Sequence, residues 1–282
     1  MRIALSIVIP AFNEGQRLPR ALGPIRAYLD AAFAGDYEVI VVDDGSTDGT
    51  VGFLETESAG WQQLSFIRHL VNQGKGAAVR TGMLAAHGDL LLFSDADGAT
   101  PIGEEAKLRE AVSRGADIAI GSRVLRAPGV AQVRHLRRRV VSAGFSLLGR
   151  RLVPLPVADT QCGFKMFRAD VGRRLFGCVQ ECGYLFDVEL LALAHGCRYR
   201  IAEVPVSWME MQGGKLRLVR DSVQMLAGLL ALKRRLPARI KAAASDVAAS
   251  VASETLVAGV APSRRSARAL ERPCRDARNH AS

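Results

Sequence analysis

Residues 37–50 read YEVIVVDDGSTDGT, and this stretch decides the fold class. Its first six residues are mostly apolar and β-branched, which predicts a strand buried on both faces. The strand stops at Asp43, Asp44 and Gly45, which favour a turn, and Asp48 can cap a following helix. A buried strand, a polar turn and a helix make up the repeating unit of an α/β protein with a parallel sheet.

The same unit recurs on both sides of this stretch. Short apolar runs that end in polar residues alternate with segments of helical spacing. The predicted strands are Leu5–Pro10, Tyr37–Val42, Leu64–Arg68, Asp89–Ser94 and Asp117–Ser122, and the predicted helices are Arg17–Phe33, Asp48–Ser58, Gly76–His87 and Pro101–Arg114. We therefore expect an α/β fold with a mostly parallel central sheet and helices on both faces.

After residue 125 the pattern becomes less regular. It predicts strands at Asp159–Arg168 and Val204–Trp208, and helices at Tyr184–His195 and Arg217–Leu236. Beyond Pro237 the composition turns to Ala, Ser and Arg. We expect one folded domain over residues 1–236, divided into halves 1–125 and 126–236. Residues 237–282 are expected to form a basic, poorly ordered tail that contains one weak helix near 239–257.

Composition and charge exclude several classes of protein. The 282 residues are 49% hydrophobic, which excludes wholesale disorder, and no run of 18 apolar residues predicts a membrane span. The five scattered cysteines favour reduced thiols in a cytosolic protein. The net charge of +10 favours partners that carry phosphate, whether nucleotide, nucleic acid or lipid headgroup. An aromatic content of 6% and the lack of a nucleic-acid-binding motif argue against nucleic acid.

Three polar clusters follow predicted strands directly, at residues 10–14, 43–46 and 95–98. Ligands of an open parallel sheet bind outside the carboxyl ends of the strands, so the clusters are expected to meet in one crevice. Asp95 and Asp97 repel each other unless a cation lies between them. A hard cation, Mg²⁺ or Mn²⁺, would take these carboxylates together with the oxygens of a diphosphate. The alternative is a polar turn after a strand.

Each of the other clusters allows two interpretations. Asp43, Asp44 and Ser46 form either a turn with a helix cap or a contact to a nucleobase or ribose. Glu14 is either a loop charge or a similar contact. Residues 74–76, Gly-Lys-Gly, lack the pattern of a Walker phosphate loop. They can instead open a helix near a diphosphate with Lys75 as the countercharge, or simply begin a helix with a solvated lysine.

With these motifs in place, the chain resembles the family 2 inverting glycosyltransferases, which have the nucleotide-diphospho-sugar (GT-A) fold. The first-half matches are IVIPAFNE (7–14), VVDDGSTDGT (41–50), NQGKGAAVRTGM (72–83), FSDADGATP (93–101) and IGSR (120–123). The second half resembles the dolichyl-phosphate β-glucosyltransferase branch through DTQCGFKMF (159–167), FDVELL (186–191), EVPVSW (203–208) and GKL (214–216). The resemblance covers roughly residues 4–236.

The resemblance implies roles for individual residues. It implies a nucleotide-sugar site in the first half, and an acceptor side in the second. The nucleotide-sugar site would comprise Pro10, Phe12, Glu14, Asp43, Asp44, Ser46, Lys75, Asp95 and Asp97, with Asp95 and Asp97 at the metal. The catalytic set would be Asp97, Arg123, Asp159 and Lys215, with Asp159 orienting the sugar or acting as a weak base. The acceptor phosphate would meet Arg123 and Lys215, to which the basic segment after residue 133 adds Arg134 and Arg137.

The activity that the resemblance implies is the metal-dependent transfer of a hexose, glucose from UDP-glucose, onto a polyprenyl phosphate. The acceptor is dolichyl or undecaprenyl phosphate, and the product is β-linked. Two alternatives stay open: a mannosyltransferase that uses GDP-mannose, and a family 2 enzyme with a soluble glycan acceptor. Two features depart from the branch. Its eukaryotic members begin with a membrane anchor, where this sequence predicts a strand, and Gly213-Gly214 replaces the more frequent Gly-Ser before Lys215.

The segment Arg134–Arg151 is apolar in its middle and rich in arginine at both ends. Such a segment can lie in a membrane interface with its guanidinium groups on lipid phosphates, and helix 217–236 presents the same choice. We therefore expect a peripheral protein at the cytoplasmic, inner face of a membrane. The alternatives are amphipathic core helices with basic edges, or a contact in a homo-oligomer.

Overall fold

Seven strands form one sheet in the computed structural model, which describes residues 2–133, 151–209 and 218–258. The sheet strands are β1 Leu5–Ala11, β2 Tyr37–Asp43, β3 Leu64–Arg68, β4 Leu90–Ser94, β5 Ile118–Ser122, β7 Phe164–Arg168 and β8 Ile201–Pro205. Their order is β3-β2-β1-β4-β7-β5-β8, and only β7 runs antiparallel to its neighbours. The prediction of a mostly parallel sheet is confirmed.

Both faces of the sheet are covered because alternate strand residues enter different cores. In β1, Ile7 and Ile9 join one core, and Val8 joins the other. The first face is covered by α1 Leu18–Phe33, α2 Thr50–Gly60 and α4 Glu105–Ser113, the last preceded by a 3₁₀ turn at Ile102–Glu104. The second face is covered by α3 Lys75–Ala85, α5 Ala169–Cys178 and α6 Phe186–Gly196. Strands buried on both sides explain the continuous apolar runs of the sequence.

The second half of the chain differs in detail from the prediction. The strand expected over Asp159–Arg168 begins only at Phe164. The strand expected over Val204–Trp208 is two elements, since β8 ends at Pro205 and β9, Trp208–Met209, pairs with β6, Gln132–Val133, in a separate ribbon. Residues 159–163 are polar or turn-forming and do not pair with a neighbouring strand. They form the hydrogen bonds that are described with the candidate site.

The last described helix, α7, runs from Leu218 to Ala258 and passes through Pro237. The sequence predicts a tail from residue 237 that contains one weak helix near 239–257. The structure is helical over those positions, and this helix is continuous with the segment before Pro237. Packing explains why the helix continues through Pro237, because Ala243 is buried and Ile240 packs against Gly196 of α6. Composition alone does not reveal this contact. Residues 259–282 lie outside the described residues, and the division of the chain at residue 125 stays a prediction.

Several predicted features involve residues that the structure does not describe. Arg134, Arg137 and most of the basic segment 134–151 lie outside the described residues, as does Lys215. Within the described ranges, no helix has both the length and the apolar character needed to cross a bilayer.

Candidate active site

A cavity of about 450 Å³ opens at the carboxyl ends of β1, β2 and β4. Strands β2 and β3 follow on one side of β1, and the connection after β3 returns to place β4 on its other side. Open α/β sheets bind ligands at such a reversal of strand order. Its lining residues are Pro10, Ala11, Phe12, Glu14, Arg17, Asp44, Asn72, Gly74, Lys75, Ala78, Asp95, Ala96, Asp97, Gly183 and Tyr184. The sheet topology therefore gathers side chains that are up to 174 positions apart in the sequence.

The structure brings most of the predicted nucleotide-sugar residues to this cavity. Seven of the nine line it, namely Pro10, Phe12, Glu14, Asp44, Lys75, Asp95 and Asp97. Asp43 and Ser46 do not line it, and neither do Arg123 and Asp159. Arg17 lines the cavity although the sequence reasoning missed it. Its position one helical turn after Glu14 was a usable signal, and its Nη2 donates to Glu14 Oε1 at 2.5 Å.

Asp43 and Ser46 shape the loops instead of lining the cavity. The buried Asp43 carboxylate accepts the Ser46 N–H at 3.3 Å, which fixes the turn after β2. The Ser46 hydroxyl in turn accepts the N–H of Asn13 at 2.8 Å. The N–H of Thr47 donates to Asn13 Oδ1 at 2.8 Å, so the loops after β1 and β2 are tied together. These hydrogen bonds favour the loop-forming interpretation of Asp43 and Ser46, which hold the segment that carries Phe12 and Glu14. A role for them as direct ligands stays a prediction.

Asp44 lines the cavity and also fixes the loop between β3 and α3. Its carboxylate accepts the N–H groups of Gln73 and Gly74 at 2.9 and 2.8 Å. It also lies 2.7 Å from Nδ1 of His69, whose other nitrogen is 3.0 Å from the Thr81 hydroxyl. The loop that leads into helix α3 is therefore fixed by the carboxylate at the end of β2.

Asp95, Asp97 and Lys75 form the charged floor of the cavity. Lys75 Nζ lies 2.7 Å from Asp95 Oδ1 and 5.3 Å from the ring centre of Phe93. Burial by itself lowers the pKa of Lys75, but the charges of Asp95 and Asp187 and the hydrogen bond to Asp95 together outweigh burial, so the net pKa is raised. Burial, and next the charge of Asp95, raise the pKa of Asp97 above its usual range. The floor thus contains the Asp95 carboxylate, which is paired with Lys75, and the Asp97 carboxylate, whose ionisation is energetically costly.

These carboxylates suit a hard divalent cation. Burial contributes most to the raised pKa of Asp97, and a cation between Asp95 and Asp97 would remove the repulsion from Asp95 that adds to it. In the described part of the chain, no group of three or more His, Cys, Asp or Glu side chains forms a cluster that could hold a metal. The two aspartates would therefore share the cation with oxygens of a ligand, as Mg²⁺ sites with few protein ligands do.

Gly163 gives the Asp95 carboxylate its room. A Cβ at residue 163 would lie 2.0 Å from Asp95 Oδ2, and the Gly163 carbonyl accepts the Asp95 N–H at 3.0 Å. Gly163 belongs to the second-half motif DTQCGFKMF, so this glycine links the two halves of the sequence at the site.

A buried ion pair behind the floor was missed by the sequence reasoning. Lys165 of β7 is fully buried, and its Nζ donates to Asp187 of α6 and to the Cys162 carbonyl, each at 2.5 Å. It also lies 5.8 Å from the ring centre of Phe93, which Lys75 approaches too. Burial raises the pKa of Asp187, and the charges of Lys165 and Lys75 oppose this rise. A lysine inside the apolar run FKMF was the signal that could have found the pair.

Arg123 and Asp159 form a bidentate ion pair beside the cavity. Nε and Nη2 of Arg123 donate to the two oxygens of Asp159, each at 2.8 Å. Burial raises the pKa of Asp159, but the hydrogen bonds and charge of Arg123 outweigh it, so the net pKa is lowered. Glu203 accepts the N–H groups of Ala158 and Asp159 at 2.7 and 2.8 Å. A carboxylate held in this way is a poor proton acceptor, which favours an orienting role for Asp159 over the predicted role of weak base.

Comparison with known proteins gives consistent similarities. The family model for glycosyl transferase family 2 matches residues 6–176. A dolichyl-phosphate β-glucosyltransferase of Drosophila melanogaster is 40% identical over 235 residues, covering 79% of this chain and 72% of that protein. One of Saccharomyces cerevisiae is 35% identical over 248 residues, covering 82% and 74%.

A solved structure supports the fold. Glucosyl-3-phosphoglycerate synthase of Mycobacterium tuberculosis, in complex with Mn²⁺ and UDP-glucose, superposes with a TM-score of 0.59 at 19% identity. The match covers 82% of this chain and 78% of that one. The predicted GT-A fold class is thereby confirmed.

Proposed function

Because the chain belongs to glycosyl transferase family 2, among the dolichyl-phosphate β-glucosyltransferases, we propose that it transfers glucose from UDP-glucose to a polyprenyl phosphate. The observation that carries the proposal is the single cavity that joins Asp95 and Asp97 to the loops after β1 and β2. A pocket with carboxylates on its floor and the cations Arg17 and Lys75 in its lining suits a diphosphate bridged by a metal.

The nucleoside would lie between the loops after β1 and β2. Phe12 and Pro10 offer apolar surface for the base, and Glu14 and Asp44 offer carboxylate oxygens for ribose or base donors. Lys75 lies where the N-terminus of α3 meets the floor, so it can neutralise diphosphate charge together with the helix dipole.

The proposed cofactor is Mg²⁺ or Mn²⁺, held by Asp95 and Asp97. When bound, such an ion neutralises the charge that develops on the departing diphosphate. Asp97 would then carry its negative charge without the energetic cost that burial and Asp95 impose on it.

The proposed reaction inverts the configuration at the anomeric carbon. An oxygen of the acceptor phosphate forms a bond to that carbon from one face, while the bond to the UDP oxygen breaks on the opposite face. A phosphate monoester is already ionised at neutral pH, so the chain needs no strong base for this step. The remaining task is alignment and charge neutralisation. Arg123, held by Asp159, is proposed to stand on the acceptor side.

The acceptor lipid implies a membrane surface at the mouth of the cavity. Leu70 and Val71, in the loop after β3, are 94% and 67% exposed. Phe12 and Tyr184, which line the cavity, are also exposed. Exposed apolar side chains beside a site indicate a surface that a partner covers. We propose that the partner is the inner, cytoplasmic face of the membrane, on which the protein is peripheral.

The test is a transfer assay with purified protein, Mg²⁺ or Mn²⁺, a panel of radiolabelled nucleotide sugars and a short polyprenyl phosphate. We expect label from UDP-glucose in the organic phase, and loss of this transfer in Asp97→Asn. Asp89→Asn, a surface carboxylate paired with Arg2, is the matched control and should retain activity. Transfer only from GDP-mannose, or only to a water-soluble glycan, would contradict the proposal.

A further inference from the structure

Two arginines of helix α7 bind the segment between α5 and α6, which contributes Gly183 and Tyr184 to the cavity lining. Arg239 lies beyond Pro237, in the part of the chain whose composition predicts a tail. Its Nη1 lies 2.7 Å from Glu189 Oε1 and donates to Gln180 Oε1 at 2.6 Å, and its Nη2 donates to the Cys178 carbonyl. One turn earlier, Arg235 donates to Glu181 Oε1 at 2.8 Å. Three of these partners lie at or in the loop between α5 and α6.

Glu189 connects Arg239 to the backbone of that loop. Its side chain is fully buried, and its Oε2 accepts the N–H groups of Gln180 and Glu181 at 2.9 and 2.7 Å. Arg239, whose side chain is 15% exposed, brings a full positive charge to the other oxygen. Loss of that charge would leave a buried carboxylate without its ion-pair partner, so the loop would lose its anchor.

The loop then packs directly on the segment that carries Lys75. A Cβ at Gly74 would lie 2.4 Å from the Cys182 carbonyl oxygen, and one at Gly76 would lie 2.4 Å from that of Glu181. The Cys182 carbonyl accepts the N–H of Ala77 at 3.2 Å. Only glycine permits this close approach, so the Gly-Lys-Gly motif is a docking surface for the loop. The next two loop residues, Gly183 and Tyr184, line the cavity.

We propose that Arg239 is a positioning residue for the donor site, acting through Glu189 and the α5–α6 loop on Lys75. The proposal rests on the assignment of the cavity as the nucleotide-sugar site. Two roles of Arg239 can be distinguished by experiment. If the arginine only stabilises the fold, its removal lowers the melting temperature and leaves the nucleotide affinity of the folded protein unchanged. If the arginine positions the loop, its removal also lowers the affinity of the folded protein for the donor.

The first experiment measures UDP binding by calorimetry in the presence of Mn²⁺, together with KM for each substrate. In Arg239→Ala we expect UDP affinity to fall about tenfold and the donor KM to rise, with the acceptor KM unchanged. Arg239→Lys keeps the charge and should give an intermediate affinity, and it also carries the test if the alanine variant does not fold. The control is Arg234→Ala, an exposed arginine of the same helix, which should bind UDP as the unmodified chain does.

The second experiment follows amide hydrogen exchange without any ligand. Arg239→Ala should speed exchange at Gln180, Glu181 and Ala77, and leave the strands β1 and β2 protected. Unchanged exchange at those three amides, or unchanged UDP affinity in a folded Arg239 variant, would overturn the proposal. If the unmodified chain binds no nucleotide, the proposed function fails, and the exchange result alone decides whether Arg239 holds the loop.

Discussion

At the residue scale, Gly163 decides where the Asp95 carboxylate can lie. In Gly163→Ala the new Cβ would fall 2.0 Å from Asp95 Oδ2, and the carboxylate must rotate away from Lys75. Rotation of a partly exposed side chain costs little stability. The displaced carboxylate should reduce kcat/KM about 100-fold, since misplacement by an ångström has that effect. Steady-state kinetics and a melting curve measure the two quantities.

The control for this prediction is Gly177→Ala, because a Cβ at Gly177 meets no atom within 4 Å. It should leave activity unchanged. Full activity in Gly163→Ala would show that the position of the Asp95 carboxylate does not matter for transfer.

Asp97 should make metal binding depend on pH. Burial and the Asp95 charge raise its pKa, so the folded protein binds a proton at Asp97 at a higher pH than the unfolded chain does. As the pH falls toward that raised pKa, protons compete with the cation and metal affinity drops. Without metal, the contribution of Asp97 to the free energy of unfolding rises as the pH falls through this window, because the costly charge is removed.

Calorimetric titration of Mn²⁺ with UDP between pH 5 and pH 8 measures this dependence. Asp97→Asn cannot take up the proton, so its weaker metal affinity should vary less with pH. An equally steep dependence in Asp97→Asn would place the titrating group elsewhere.

At the element scale, the Lys165–Asp187 pair joins strand β7 to helix α6 behind the candidate active site. Lys165→Met removes the cation and leaves Asp187 buried beside apolar groups, which should cost about 3–5 kcal/mol in the free energy of unfolding. The double variant Lys165→Met/Asp187→Leu removes both charges and should recover most of that loss. Lys107→Met, which breaks a surface pair with Glu104, should cost about 0–1 kcal/mol. Urea denaturation compares all three, and equal costs at both lysines would contradict the argument.

The elements show which parts of the fold a sequence can predict. Strands β1 to β5 follow from apolar runs that end in turn residues, and the clusters after β1, β2 and β4 meet because parallel strands point the same way. A strand that ends at Arg168 could be predicted, but its antiparallel place between β4 and β5 has no local signal, since that place depends on pairing partners distant in the chain. The continuation of α7 past Pro237 depends on Ile240 fitting against Gly196, a tertiary contact that composition cannot reveal.

The candidate site likewise contains some residues whose role could be predicted from the sequence and others whose role depends on the fold. The presence of Asp95 and Asp97 in the cavity could be predicted, because two carboxylates this close together at a strand end repel each other unless a cation joins them. Asp43 and Ser46 are equally polar, but the Asp43 carboxylate accepts a hydrogen bond within its own turn, and the Ser46 hydroxyl joins that turn to the loop after β1. Whether a polar turn residue faces the ligand or the backbone depends on loop geometry, which residue type alone does not fix.

At the scale of the whole molecule, the cavity mouth should meet the membrane through Leu70 and Val71. Burial of a leucine away from water contributes about 1.5–3 kcal/mol, so Leu70→Ser/Val71→Ser should weaken binding to anionic phospholipid vesicles roughly tenfold or more. In Leu70→Trp, the added tryptophan emission should shift to shorter wavelength when vesicles are present. Leu84→Trp, at an exposed apolar position on α3, is the control and should not shift. A shift of equal size at both positions, or none at residue 70, would remove this loop from the membrane surface.

The position of strand β7 affects how the chain can fold during synthesis and where it can be truncated. The edge of β4 finds its partner only when residues 164–168 arrive, and β5 pairs with β7 and β8 and with no strand of the first half. A nascent chain of which only the first 125 residues have left the ribosome therefore has an unpaired edge on β4. Its strand β5 has no pairing partner yet. Recombinant expression of that fragment should yield aggregates, and a productive truncation must retain residue 168.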